Sequence, residues 1–78
     1  MPETRTVPYD GRKIRDLRER AGLTRVQLAE RVGCHPGTLQ NIEGNRRGAS
    51  RVMVARIAIG LGVDLDVITR DEPMQVAS

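Results

Sequence analysis

Apolar residues along this 78-residue chain recur at three- and four-residue intervals in short bursts, and four bursts close at a glycine: Gly22, Gly33, Gly44 and Gly62. A residue just past a helix C-terminus commonly turns left-handed, which glycine does at no steric cost, so the pattern predicts four helices. The first runs from about Arg12 to Ala21, with Ile14, Leu17 and Ala21 on one face; Asp10-Gly11 forms a turn ahead of it. The second spans Arg25 to Val32, where Thr24 and Gln27 have capping-box spacing and Leu28, Ala29 and Val32 face inward. Pro36 suits the first position of a third helix, Pro36 to Glu43, with Leu39 and Ile42 buried and Gln40 and Asn41 on the other side. Ser50 caps a fourth helix reaching about Leu61, and Asp64 caps a short fifth from Leu65 to about Thr69. No period-two alternation persists, so the expected fold is all-α with five helices. Residues 1–10 form an N-terminal arm, 11–69 one domain, and 70–78 a frayed tail.

Size and composition narrow this further. The chain has room for one core, and with no Trp or Phe and a single Tyr that core is built from Leu, Ile, Val, Ala and Met. No apolar run is long enough to span a bilayer, and Met1 to Asp10 lacks the apolar stretch of a signal peptide, so a cytoplasmic location is expected. The lone Cys34 forms no internal disulfide, and neither a metal site nor a cofactor motif is discernible. One His, one Cys, and serines only at positions 50 and 78 leave no plausible catalytic triad; Asp64 and Asp66 read as helix-start residues, and an enzyme is not expected.

Charge distribution points to a partner. Twelve of the thirteen basic residues are Arg; residues 12–56 hold eleven basic against four acidic groups, net +7, whereas residues 57–78 are net −3. A solvated helix surface accounts for many such charges, but a polyanion is the natural ligand to test. Helices two and three are each eight residues long and joined by only Gly33-Cys34-His35, which forces a large crossing angle: a helix-turn-helix. In that geometry the second helix lays its N-terminal end in the major groove, about 12 Å wide.

The segment LTRVQLAERVGCHPGTLQNIEGNRRGAS, Leu23 to Ser50, resembles the lambda-repressor-like, Cro-type helix-turn-helix family, often called XRE, and the likeness continues through ARIAIGLGVDLDVI. With helix one it covers roughly residues 11–69. The resemblance implies a phosphate contact at the first position of helix two, usually Gln and here Arg25, which keeps the role with a longer reach and a full charge. It implies base reading by the first residues of helix three, yet Pro36 and Gly37 carry no hydrogen-bonding side chain. That work passes to His35, Thr38, Gln40 and Asn41, of which Asn and Gln suit adenine N6 and N7. Arg46 and Arg47 keep the two basic positions of the family's following loop and are the expected phosphate clamps, while Gly44-Asn45 reverses its usual Asn-Gly. Cys34 replaces a usual Val and is expected to be a small buried hydrophobe; His35 replaces a helix-capping Ser, with capping and DNA contact both open to it. Glu43 is expected to pair with a nearby Arg.

In helix four the expected core face is Val54, Ile57, Ala58 and Leu61, and Val52, Met53 and Ile59 are surplus apolar residues. They are either scattered surface or a dimer or partner interface. The function implied is a DNA-binding transcriptional regulator, a repressor acting as a homodimer on double-stranded DNA in a bacterial or phage setting. Two other readings stay open: the antitoxin of a toxin-antitoxin pair, and a protein-interaction module without sequence-specific reading.

Overall fold

A computed structural model describes residues 7–69; residues 1–6 of the arm and the tail 70–78 lie outside them. The chain runs α1 (Gly11–Arg20), α2 (Arg25–Val32), α3 (Pro36–Glu43), α4 (Arg51–Leu61) and α5 (Leu65–Ile68). The described residues hold no strand, only an isolated antiparallel bridge between Tyr9 and Thr69. Helix starts follow local chemistry. Thr24 and Gln27 form the full capping box, and the Ser50 hydroxyl accepts from the Met53 amide. Asp10 accepts from the amides of Arg12 and Lys13, so α1 begins at Gly11, one residue earlier than the pattern predicts. Each such cap satisfies a first-turn amide that the helix cannot.

Ile14, Leu28, Leu39, Ile42, Val54, Ile57 and Ile68 are completely buried. Each is worth about 1.5–3 kcal/mol of burial, and together they hold all five helices around one centre. Of the expected α4 face, Val54, Ile57 and Ala58 are buried and Leu61 packs at the margin. Met53 also packs against the core, which removes it from the surplus apolar surface; Val52 and Ile59 remain 60% and 77% exposed.

Several local expectations are corrected. Ala21 is exposed, and Arg18 takes the buried place on α1 beside Ile14 and half-buried Leu17. Gly22, Gly33 and Gly62 take positive φ, but Gly44 sits at φ −90° and the left-handed residue is Asn45 at φ 56°. Asn tolerates that region, and its Oδ1 accepts from the Gly11 amide at 3.1 Å, so the loop after α3 is tied to the start of α1. Asp64 makes no side-chain cap bond, and α5 stops at Ile68 because Thr69 turns extended to meet Tyr9. The last part of the arm belongs to the body: Tyr9 is buried and its hydroxyl donates to the Arg47 carbonyl. The Val7 amide donates to Ala49 O at 3.0 Å and the Asp10 amide to Ile68 O at 2.9 Å.

Among the described glycines, Gly11 has the least room, where α1 meets the end of α3. A Cβ on Gly11 would lie 2.3 Å from the Ile42 carbonyl oxygen and 2.7 Å from that of Glu43, so no side chain fits there. Beside this contact Arg18 and Glu43, 7% exposed each, form a two-pronged pair: Nε to Oε2 at 2.7 Å and Nη2 to Oε1 at 3.1 Å. Arg18 Nη1 also donates to the Leu23 carbonyl at 3.0 Å. Removing one partner strands the other charge, so Glu43→Ala is expected to lose about 3–5 kcal/mol in urea unfolding. Replacing both, as Arg18→Met with Glu43→Leu, is expected to lose less; an equal or larger loss would show that packing rather than the stranded charge sets the cost.

Candidate nucleic-acid interface

The turn between α2 and α3 is closed by backbone chemistry. Gly33 turns left-handed at φ 84°, and its amide and that of Cys34 both donate to the Ala29 carbonyl, at 2.8 and 3.0 Å. Cys34 is half-buried against the core; burial pushes its thiol pKa up, while the positive charge of Arg47 pulls the other way. His35 is the N-cap of α3, its Nδ1 accepting from the Gly37 amide at 3.1 Å. With Nδ1 accepting, Nε2 is the ring nitrogen left to donate, so capping does not use up the side chain's donor. Gly37 suits this cap, since a Cβ there would come 3.3 Å from the imidazole Nδ1.

Leu39, Ile42 and Glu43 point inward and fix which side of α3 is presented. The presented side carries exposed Gln40, Asn41 and Gly44, with Pro36, Gly37 and Thr38 partly covered. The glycines at both ends leave Gln40 and Asn41 as the projecting polar side chains of this strip. His35 is exposed at its N-terminal end.

The basic residues gather at the other end. Arg25 opens α2 and is half-buried, its Nε donating to Glu43 Oε1 at 3.3 Å. Its expected place as a phosphate ligand is therefore combined with a structural tether that sequence reasoning missed. Arg46 and Arg47 are exposed; the Arg46 amide donates to the Asn41 carbonyl at 2.8 Å, and Arg47 Nε to Gly48 O at 3.2 Å. Arg15, Arg25, Gln40, Glu43, Gly44 and Arg46 line one depression where α1, α2 and α3 meet. Arg15 was not among the expected site residues, because nothing in the linear pattern places the middle of α1 beside the end of α3. Val52 and Ile59 lie apart from this site on α4, which packs on α2, α1 and α5.

A helix held by one buried face, with a polar strip exposed and arginines at its flank, defines a DNA-binding domain of the helix-turn-helix class. The chain belongs to the helix-turn-helix domain family, whose model matches residues 11–70, and it is of the XRE type. It is similar to a propionyl-CoA carboxylase regulator of Cereibacter sphaeroides, 36% identical over 70 residues. That match takes in 90% of this chain but 15% of the relative, so the chain spans a small part of that protein's length. Among solved structures it resembles the restriction-modification controller protein C.AhdI from Aeromonas hydrophila, with 26% identity and TM-score 0.72 over 73% of this chain and 86% of that one. It also resembles the clp gene regulator ClgR from C. glutamicum, with 33% identity and TM-score 0.69 over 73% and 75% of the two chains. SinR, a master regulator for biofilm formation solved in complex with DNA, gives 26% identity and TM-score 0.68 over 73% and 95%.

The raised thiol pKa of Cys34 has a measurable consequence, since the thiolate is the reactive form. Alkylation by iodoacetamide at pH 8 is expected to be slower in the folded protein than in urea. Equal rates would show that the turn does not shield the thiol.

Proposed function

We propose that this chain is a cytoplasmic regulator that binds double-stranded DNA sequence-specifically as a homodimer, acting as a transcriptional repressor and as a binding module rather than a catalyst. The observation that carries this reading is the presented strip of α3, bounded by Arg25 and Arg46 at one end and His35 at the other. Asn41 and Gln40 supply paired donor and acceptor groups for adenine, His35 and Thr38 extend the contact along the groove, and Arg25, Arg46 and Arg47 take phosphates. The regulatory role of the relatives, and the DNA held by SinR, support the ligand class. No helix among the described residues is long and apolar enough to cross a membrane.

Dimerisation is proposed through the outer face of α4. Val52, Arg56 and Ile59, at i, i+4 and i+7, share one exposed face, and two large aliphatics left this open to water favour a protein contact. The same face favours a second reading, in which it takes a different protein, as an antitoxin would. A two-fold arrangement places two copies of α3 in successive major grooves about 34 Å apart.

Selection from a random duplex library with purified protein is expected to enrich an inverted repeat with half-sites about one helical turn apart. Binding to that site is expected to fall with salt at a log–log slope of about −5 to −7, as six to eight phosphate contacts require. Asn41→Ala should relax the preference at one base pair per half-site by about 1–3 kcal/mol. No enrichment from folded protein would refute direct reading by α3, and a flat salt dependence would refute the basic face as a phosphate ligand. Separately, Val52→Glu with Ile59→Lys is expected to halve the solution mass in analytical ultracentrifugation and weaken binding to the full repeat. Unchanged mass and affinity would remove α4 from the interface.

A further inference from the structure

The depression between α1, α2 and α3 contains a basic residue whose present partner is weakly held. Arg15 Nε donates to Glu19 Oε2 at 3.1 Å, one helical turn along α1, with 59% and 54% of the two side chains exposed, and the same oxygen stands 3.9 Å from Arg18 Nη2. An exposed i,i+4 pair of this kind is among the weakest ionic contacts in a protein. The carboxylate that lines the depression, Glu43, is 3% exposed at its side chain and is held by both Arg18 and Arg25. Its charge is satisfied from within, and its tether to Arg25 Nε fixes that guanidinium while leaving the terminal amines available among the described residues. Arg46 closes the rim beside Gly44. Counting Arg15, Arg18, Arg25 and Arg46 against Glu19 and Glu43, the region keeps two positive charges in excess.

Three guanidinium groups from three separate elements thus converge on a concave site next to Gln40, a residue of the presented strip. One phosphodiester oxygen pair is the ligand chemistry that such an arrangement fits, because guanidinium groups bind phosphate with paired N–H donors. We propose that this depression seats one backbone phosphate of the DNA, and that Arg15 exchanges Glu19 for that phosphate on binding, so that Glu19 acts as a built-in restraint on affinity. This rests on the DNA-binding reading above. The exchange is cheap for Arg15 because its pair is solvated, and it is closed to Arg18 because that side chain is buried with Glu43. Arg15 is therefore the ligand free to change partners, beside an Arg25 held by Glu43.

The two ends of the Arg15–Glu19 pair carry opposite expectations, which a merely structural role would not produce. Arg15→Gln is expected to weaken duplex binding about five-fold at 0.15 M salt and to make the log–log salt slope shallower by about one, on specific and non-specific DNA alike. Glu19→Gln is expected to tighten binding about two- to three-fold, because the competing carboxylate is gone. Arg20→Gln serves as control: Arg20 pairs in the same i,i+4 manner with Asp16 at 3.3 Å but lies on another face of α1, and it is expected to change neither quantity. All three side chains are exposed, and circular dichroism checks that the variants stay folded. A scan of neutral methylphosphonate linkages is expected to find one position at which the unsubstituted protein and Arg15→Gln bind equally. A wild-type slope in Arg15→Gln, weakening by Glu19→Gln, or no such phosphate would overturn the proposal while leaving DNA binding intact. Failure of the unsubstituted protein to bind any duplex would instead overturn the DNA-binding reading, and this inference with it.

Discussion

Everything that α3 presents depends on the buried pair between Arg18 and Glu43. Two charges taken out of water cost several kcal/mol each unless every lone pair and proton is matched. Here the match is close: two parallel bonds to the carboxylate, a third from Arg18 to the Leu23 carbonyl, and a fourth to the carboxylate from Arg25. The pair joins the last turn of α1 to the last residue of α3 and, through Arg25, to the first of α2. Because its geometry is directional, it sets the rotation of α3 about its axis more sharply than apolar contacts of Leu39 and Ile42 alone would. That rotation decides that Gln40 and Asn41 face outward. The absence of a side chain at Gly11 is the other half of the same constraint, since it lets α1 come close enough for Arg18 to reach.

The loop after α3 carries its two arginines on an anchored backbone. Although the order is Gly44-Asn45, the second residue is the left-handed one, where asparagine is tolerated and its side chain holds the Gly11 amide. Tyr9 secures the far side of the loop through the Arg47 carbonyl. Arg46 and Arg47 therefore project from a segment anchored at both ends, which would reduce the ordering cost of the phosphate contacts proposed for them. At the opposite end of α3, Pro36 and Gly37 offer no base-reading groups, but they start the helix and make room for the His35 cap. The first two positions of α3 thus supply a firm helix start in place of polar side chains, and the base contacts proposed for α3 fall on later residues.

Much of this was legible in the linear pattern because it is local. A capping box, a proline at a first helical turn and an apolar i, i+3 repeat act within four residues of one another, so α2 and α3 have the bounds that their sequences predict. The turn between them is equally local, and the family likeness followed from it. Ala21 and Asp64 mark where local rules gave way. Ala21 matches the helical period, yet the chain leaves α1 there and a buried arginine takes the inward place; Asp64 sits at a cap position, but its side chain makes no cap bond.

The sequence by itself determined the five helices, the helix-turn-helix connection and the excess of arginine across residues 12–56, since each arises from neighbours along the chain. Only the tertiary structure decided which arginines serve the core and which the surface. Arg15, Arg18 and Arg25 look alike in sequence, yet Arg18 is buried, Arg25 is tethered and Arg15 is solvated. The difference comes from one carboxylate 25 residues away from Arg18, brought near by packing of apolar side chains that carry no charge information. Ion pairs of that span follow from the assembled fold, and with them the shape of the site.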